Sequence, residues 1–158
     1  MHMKNNLRVA IASVVFAEAV GLIGTIFTVQ SIPAWYAHLA KPSFSPPNWL
    51  FGPVWSILYL LMGIAAYRIW VSPKSVMRTN ALGAYFVQLA LNALWTPLFF
   101  GMHAIGLGLL TIVSMHVAIV VTIAWFWRID RTAAYLLLPY IIWVSYATIL
   151  NAALLMLN

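Results

Sequence analysis

Residues 104–127 read AIGLGLLTIVSMHVAIVVTIAWFW, an uncharged run long enough, at about 1.5 Å per residue, to cross a hydrocarbon core of about 30 Å as a helix. It lacks the period-2 alternation of a barrel strand. Working outward, the same pattern recurs on both sides. Arg128-Ile129-Asp130-Arg131 is a compact charged loop, and residues 132–157 form a further apolar span. Upstream, Gly101-Met102-His103 is the only visible turn before a span over about residues 80–100. A short polar connection with Pro73, Lys74 and Arg78 separates this from a span over about 52–70, where Pro53 falls near the first turn and its missing N–H costs nothing. The first span covers about 8–29. Residues 30–53, rich in Pro, Trp and Ser, cannot continue it as one helix. Pro97 and Pro139 lie inside spans, where a membrane helix tolerates them at the cost of a local bend.

Composition agrees with this reading. The chain is 65% hydrophobic and 6% charged, with a mean hydropathy of +0.97, whereas a soluble domain is about 25% charged and needs that charge to cover its outside. The expected fold is all-α, an integral membrane bundle of five transmembrane helices forming one domain over residues 1–158, with a structured first loop. The net charge of +6 does not point to nucleic acid, because the bases sit singly or in pairs beside the spans, where lipid head groups meet them. Lys4, Arg8, Arg68, Lys74, Arg78, Arg128 and Arg131 fall on one side and Lys41 alone on the other. That bias predicts a cell-membrane protein with its N-terminus in the cytoplasm and its C-terminus outside. The N-terminal apolar run, about 20 residues, exceeds the core of a signal peptide and reads as a retained helix. Without Cys there is no disulfide and no thiolate chemistry, and no His, Asp or Glu spacing resembles a metal site, so no metal is expected.

Several residues within the spans need a reason to be there. Glu18 is the only acid inside a span, and an ionised carboxylate there costs roughly 2.5 kcal/mol or more on insertion scales. It reads either as a neutral carboxyl bonded to a neighbouring helix or as a proton-coupling or ligand-contacting group; Ala17, Gly21 and Gly24 around it permit close helix approach. His116 lies mid-span in the fourth helix and reads either as a neutral interhelical hydrogen bond or as a group that relays protons, binds a ligand carboxylate or coordinates a metal. Gln88, Asn92, Trp95 and Phe99 share one face of the third helix; Tyr140, Trp143 or Val144, Ala147 and Asn151 do so on the fifth, and Trp55, Tyr59 and Met62 on the second. Lipid offers amides nothing to bond, so these stripes point inward, and such a lining suits a flat, mostly apolar ligand with a few polar groups. Trp70, Trp125 and Trp127, beside Arg68 and Arg128, read instead as an interfacial belt. Ala81, Gly83, Ala84 and Ala90 are candidates for a helix–helix interface. The first loop, from Trp35 through Lys41, Phe44, Pro46, Pro47 and Trp49 to Pro53, combines stiff prolines with large aromatics and reads as a lid over a pocket mouth.

The run Trp35-Tyr36 to Lys41-Pro42, then Pro46-Pro47, Trp49, Phe51, Pro53, Trp55 and Leu58-Tyr59, the Gln88, Asn92 and Trp95 set, and Pro139-Tyr140, Trp143, Ala147-Thr148 and Leu150-Asn151 together resemble the tryptophan-rich sensory protein family, also called translocator proteins or peripheral-type benzodiazepine receptors. The resemblance covers practically the whole chain. It implies a five-helix bundle, commonly a homodimer, that binds porphyrins such as protoporphyrin IX and in some members cholesterol or isoquinoline and benzodiazepine drugs. It implies a pocket lined from the first loop and the second and fifth helices, at Trp49, Trp55, Asn92, Trp95, Tyr140, Trp143 and Ala147. Some members resemble light-dependent porphyrin-degrading catalysts in which the position of Trp55 is implicated. The chain departs from the family pattern at Ser43-Phe44, where many relatives carry two aromatics, and at its end, where no base follows to complete a cholesterol-recognition pattern.

The expected function is therefore a membrane receptor, sensor or transporter that holds a tetrapyrrole or other flat hydrophobic molecule between aromatic faces. Tyr59, Gln88, Asn92, Tyr140 and Asn151 offer polar contacts, and Trp35, Lys41, Phe44, Pro46 and Pro47 form the lid, with Lys41 a carboxylate contact. No cofactor is required, and there is no phosphate-binding glycine loop. One rival is an enzyme that oxidises a photo-excited porphyrin at Trp55; another is a proton-coupled exporter with Glu18 as carrier.

Overall fold

A computed structural model describes the backbone of residues 2–158 and the side chains of residues 6–158. It is all-helical, and five of its helical segments are long and apolar enough to cross a membrane. The helices are α1 (His2–Ala34), α2 (Phe51–Trp70), α3 (Val76–Thr96), α4 (Ile105–Ile129), α5 (Arg131–Leu136) and α6 (Leu138–Leu157), the last two forming one span. Around the bundle α1 packs on α2 and α3, α2 on α5, and α4 on α3, α5 and α6.

The ends of the spans differ from the sequence expectation for local reasons. Helix α1 runs on through Pro33 to Ala34, because a proline in the final turn removes a single donor and Trp35 N–H still reaches Ser31 C=O at 2.9 Å. Helix α3 begins earlier than residue 80, where the Ser75 hydroxyl caps it by accepting from Arg78 N–H at 3.1 Å. The two internal prolines do interrupt their spans. Pro97 opens a π-helical turn, Pro97–Gly101, closed by Met102 N–H on Pro97 C=O at 2.8 Å. Pro139 sits in the first turn of α6, just past the break at Leu137 that separates α5 from α6.

In lipid the helices gain little by hiding apolar surface from one another, so close packing and interhelical hydrogen bonds must hold them. Gly63 shows the first: a methyl there would lie 2.5 Å from Val14 Cα, so α1 and α2 are in backbone contact. Tyr59, Asn92 and Tyr140 show the second, linking α2, α3 and α6. The large apolar residues left outside, such as Ile23, Ile26, Val113 and Ile142, face the bilayer. Ala81 is fully buried, so it belongs to the core and not to an outer helix–helix face, whereas Gly83 and Ala90 are exposed.

The described bases gather at one end of the alternating bundle, with Lys41 at the other. At the basic end three guanidinium groups lie over indole rings: Arg78 over Trp70 at 5.4 Å, Arg128 over Trp125 at 5.4 Å and Arg131 over Trp127 at 5.5 Å. These are the belt tryptophans.

Candidate ligand-binding site

The first loop is a folded cap on the other end. Tyr36 is buried beside Phe51, Phe99 and Phe100, and Trp35 packs edge-on to Phe99 and stacks on His103 at 4.4 Å. His103 takes a left-handed backbone, φ 55°, which closes the turn into α4. The loop is tied to α6: Tyr146 donates its hydroxyl to Phe44 C=O at 2.7 Å, and the Asn158 side-chain amide bonds both the N–H and the C=O of Ala40, at 2.9 and 3.0 Å. Lys41 places its ammonium 4.5 Å from the centre of the Tyr36 ring.

Beneath and beside this cap lies a cavity of about 390 Å³ between α1, the end of the loop, α2 and α3. One wall is aromatic, built by Trp49, Phe51, Trp55, Tyr59, Trp95 and Phe100. The opposite wall is a stripe of α1, Glu18, Gly21, Thr25, Thr28 and Ile32, whose three- and four-residue spacing puts it on one helix face. Leu22, Gly24 and Val29 complete this wall, and at Gly21 α1 lies directly against α2, since a methyl there would run into the Tyr59 ring. Trp49, 71% exposed, stands at the mouth.

Some of the polar groups in the slot are committed to protein partners. Asn92 accepts from the Tyr59 hydroxyl and donates to Tyr140 at 3.0 Å, and Tyr140 in turn donates to Met115 Sδ at 3.4 Å. Trp95 Nε1 donates to Asn151 at 3.4 Å, and Asn151 donates to Ile105 C=O at 3.1 Å. Thr25 and Thr28 return their hydroxyls to their own helix. Glu18, Asn48, Ser56 and Thr96 line the slot with side chains that make no hydrogen bond or ion pair to any described residue, and Glu18 is the ionisable one among them.

Of the residues expected at the site, Trp49, Trp55, Tyr59, Asn92 and Trp95 meet in this cavity, with Glu18 across from them. Tyr140, Trp143, Ala147, Asn151 and Gln88 do not line it; Tyr140 and Asn151 stand one layer back, holding Asn92 and Trp95 in place. Trp35, Lys41, Phe44, Pro46 and Pro47 shape the cap without reaching the cavity. His116 is half-buried on α4, away from it, and makes no hydrogen bond to a described residue. The α1 wall went unread as a surface. Its signal was the small-residue spacing around Glu18, which fits close helix packing equally well.

Residues 13–157, which take in the cavity, most of the first crossing and the other four, match the TspO/MBR family. The chain belongs to that family. It is 42% identical over 154 residues to the tryptophan-rich protein TspO of Archaeoglobus fulgidus, covering 97% of this chain and 99% of that one. It is 41% identical over 139 residues to protein CrtK of Rhodobacter capsulatus, covering 87% and 85%. It is 42% identical over 135 residues to the human translocator protein, covering 82% and 78%. With five apolar crossings and this kinship, the chain is a TspO/MBR membrane protein.

Proposed function

We propose that this TspO/MBR protein binds a tetrapyrrole such as protoporphyrin IX in the slot between α1, α2 and α3, as a receptor, sensor or transporter. The observation that carries the reading is the slot itself, with three indoles and a phenol on one side and a glycine–threonine face on the other. Aromatic faces stack on a flat macrocycle. Glu18 can accept a pyrrole N–H or share a proton with a ligand carboxyl. The names of relatives, translocator protein in human and tryptophan-rich sensory protein in Cereibacter sphaeroides, support a ligand-handling role. The clustering of bases at one end supports a cytoplasmic N-terminus. Titration of the detergent-solubilised protein with protoporphyrin IX, followed by tryptophan quenching, is expected to saturate, and Trp95→Leu to weaken it about tenfold or more; quenching without saturation overturns the reading.

Two observations favour further activities of the same slot. Trp55 lies on its wall with its ring centre 5.6 Å from Tyr59 and 6.2 Å from Tyr140, an oxidisable indole in contact with two phenols. This supports light-driven oxidation of bound porphyrin with dioxygen as oxidant; pigment loss under light that survives Trp55→Phe excludes that role for Trp55. The partnerless Glu18 supports proton-coupled export, which pH-driven flux in liposomes tests, and flux unchanged by Glu18→Gln rules out Glu18 as the carrier.

A further inference from the structure

We propose that the inner end of the slot recognises a basic nitrogen, so that the slot takes aromatic amines with the nitrogen paired to Glu18. The proposal rests on the slot and not on the tetrapyrrole assigned to it. From Ile32, under the cap, to Glu18 the α1 wall descends about 21 Å, which carries Glu18 to the middle of the span Asn6–Ala34. There it lies one turn from Gly21, where α1 meets the Tyr59 ring, and Trp55, with its ring centre 5.6 Å from that of Tyr59, continues the aromatic wall toward the mouth. The described lining residues include one acid and no Lys, Arg or His.

Charge at that depth decides the class of occupant. An ionised carboxylate standing alone in the middle of a bilayer is costly, and Glu18 has no ion-pair or hydrogen-bond partner among the described residues. An amine removes that cost. Whether the shared proton sits on nitrogen or on oxygen, amine and carboxyl together carry no net charge, and the ionic form of the bond between them is charge-assisted. A ligand carboxylate at the same end would meet Glu18 with like charge and no cation to offset either, so an acid has to keep its carboxylate at the mouth. The Tyr59 and Trp55 rings act in the same direction, because an ammonium is drawn to an aromatic face within about 6 Å. A hard divalent cation fits poorly: it takes about six or more oxygen ligands, and no three His, Cys, Asp or Glu gather among the described residues. Above Glu18 the wall of Trp55, Trp95 and Phe100 receives the flat ring of the amine.

Three probes that share a ring and differ in head group, 1-pyrenemethylamine, 1-pyrenemethanol and 1-pyreneacetic acid, test the assignment on the full chain in uncharged maltoside micelles at neutral pH. Binding is read as energy transfer from tryptophan to pyrene. The amine is expected to saturate at a concentration about tenfold or more below the alcohol, and the acid to bind no better than the alcohol. Glu18→Gln is expected to bring the amine to within about twofold of the alcohol. Amine and alcohol saturating alike in the wild-type chain overturns the proposal, and that comparison stands whether or not the variant folds. So does an amine preference that survives Glu18→Gln, which puts the nitrogen elsewhere, or the absence of saturable transfer from all three probes. Protoporphyrin IX in the same micelles separates the two readings of the slot: porphyrin saturation without an amine preference overturns the amine assignment alone, and an amine preference that depends on Glu18 without porphyrin saturation supports it and overturns the tetrapyrrole.

Discussion

Gln88 is 1% exposed in the middle of α3, and neither of its amide atoms bonds to another described residue. A buried polar group without a partner costs about 1–3 kcal/mol, so replacing it with an apolar side chain of similar length removes a penalty. Gln88→Met is expected to raise the thermal midpoint by a few degrees, and a fall of similar size in a thermal-shift measurement would show the amide to be bonded in solution. Asn92, one turn further on, is the opposite case, with both amide ends engaged by Tyr59 and Tyr140. From sequence the two amides look alike, each on the inward face of α3. What separates them is which side chains α2 and α6 bring opposite, and spacing along α3 does not contain that.

At the scale of elements, α1 is fixed to α2 by backbone contact at Gly63 and Val14, where neither partner can turn aside. Gly63→Ala is expected to cost about 1–3 kcal/mol despite its better helix propensity, read as a lower unfolding midpoint; a midpoint unchanged or raised would mean that α1 gives way freely. The joint between α4 and α5 depends on Asp130, which caps α5 by accepting from Ala133 N–H at 3.2 Å and pairs with Arg68 of α2 at 2.8 Å. Partial burial works against its ionisation, but the N–H groups of Ala133 and Thr132 and the Arg68 guanidinium outweigh it and hold the carboxyl below its ordinary range. Its contribution is therefore present above an unfolded pKa of about 3.9 and is lost as the pH falls through the depressed native value. Asp130→Ala is expected to cost about 1–2 kcal/mol at neutral pH, and Asp130→Asn, which keeps a capping oxygen, less than about 1. The gap between wild type and Asp130→Asn should narrow on acidification, and a gap independent of pH would remove the charge from the account. The charged loop and both proline interruptions were readable in the sequence, because a proline lacks its donor wherever the helix packs. The Asp130–Arg68 tie was not, since it joins residues of different helices.

For the whole molecule, the cap over the slot is held by a few long-range bonds from α6 to the first loop, chiefly Tyr146 to Phe44 and Asn158 to Ala40. Tyr146→Phe removes one of them, worth about 1 kcal/mol, and is expected to speed amide exchange in residues 40–50 severalfold and to shorten ligand residence. Exchange at the wild-type rate would show that the prolines and packed aromatics hold the loop alone. The five crossings, the basic end, the belt tryptophans and the stiff aromatic loop all follow from the sequence, because bilayer thickness and lipid polarity act on each segment separately and leave their mark in local composition. Tertiary structure alone decided that α1 supplies the second wall of the slot and that the inward stripe of α6 stands behind it as support. Helical periodicity tells which face of a segment turns inward, whereas the wall of a cavity is defined by which two faces meet, and that is a property of the packed bundle.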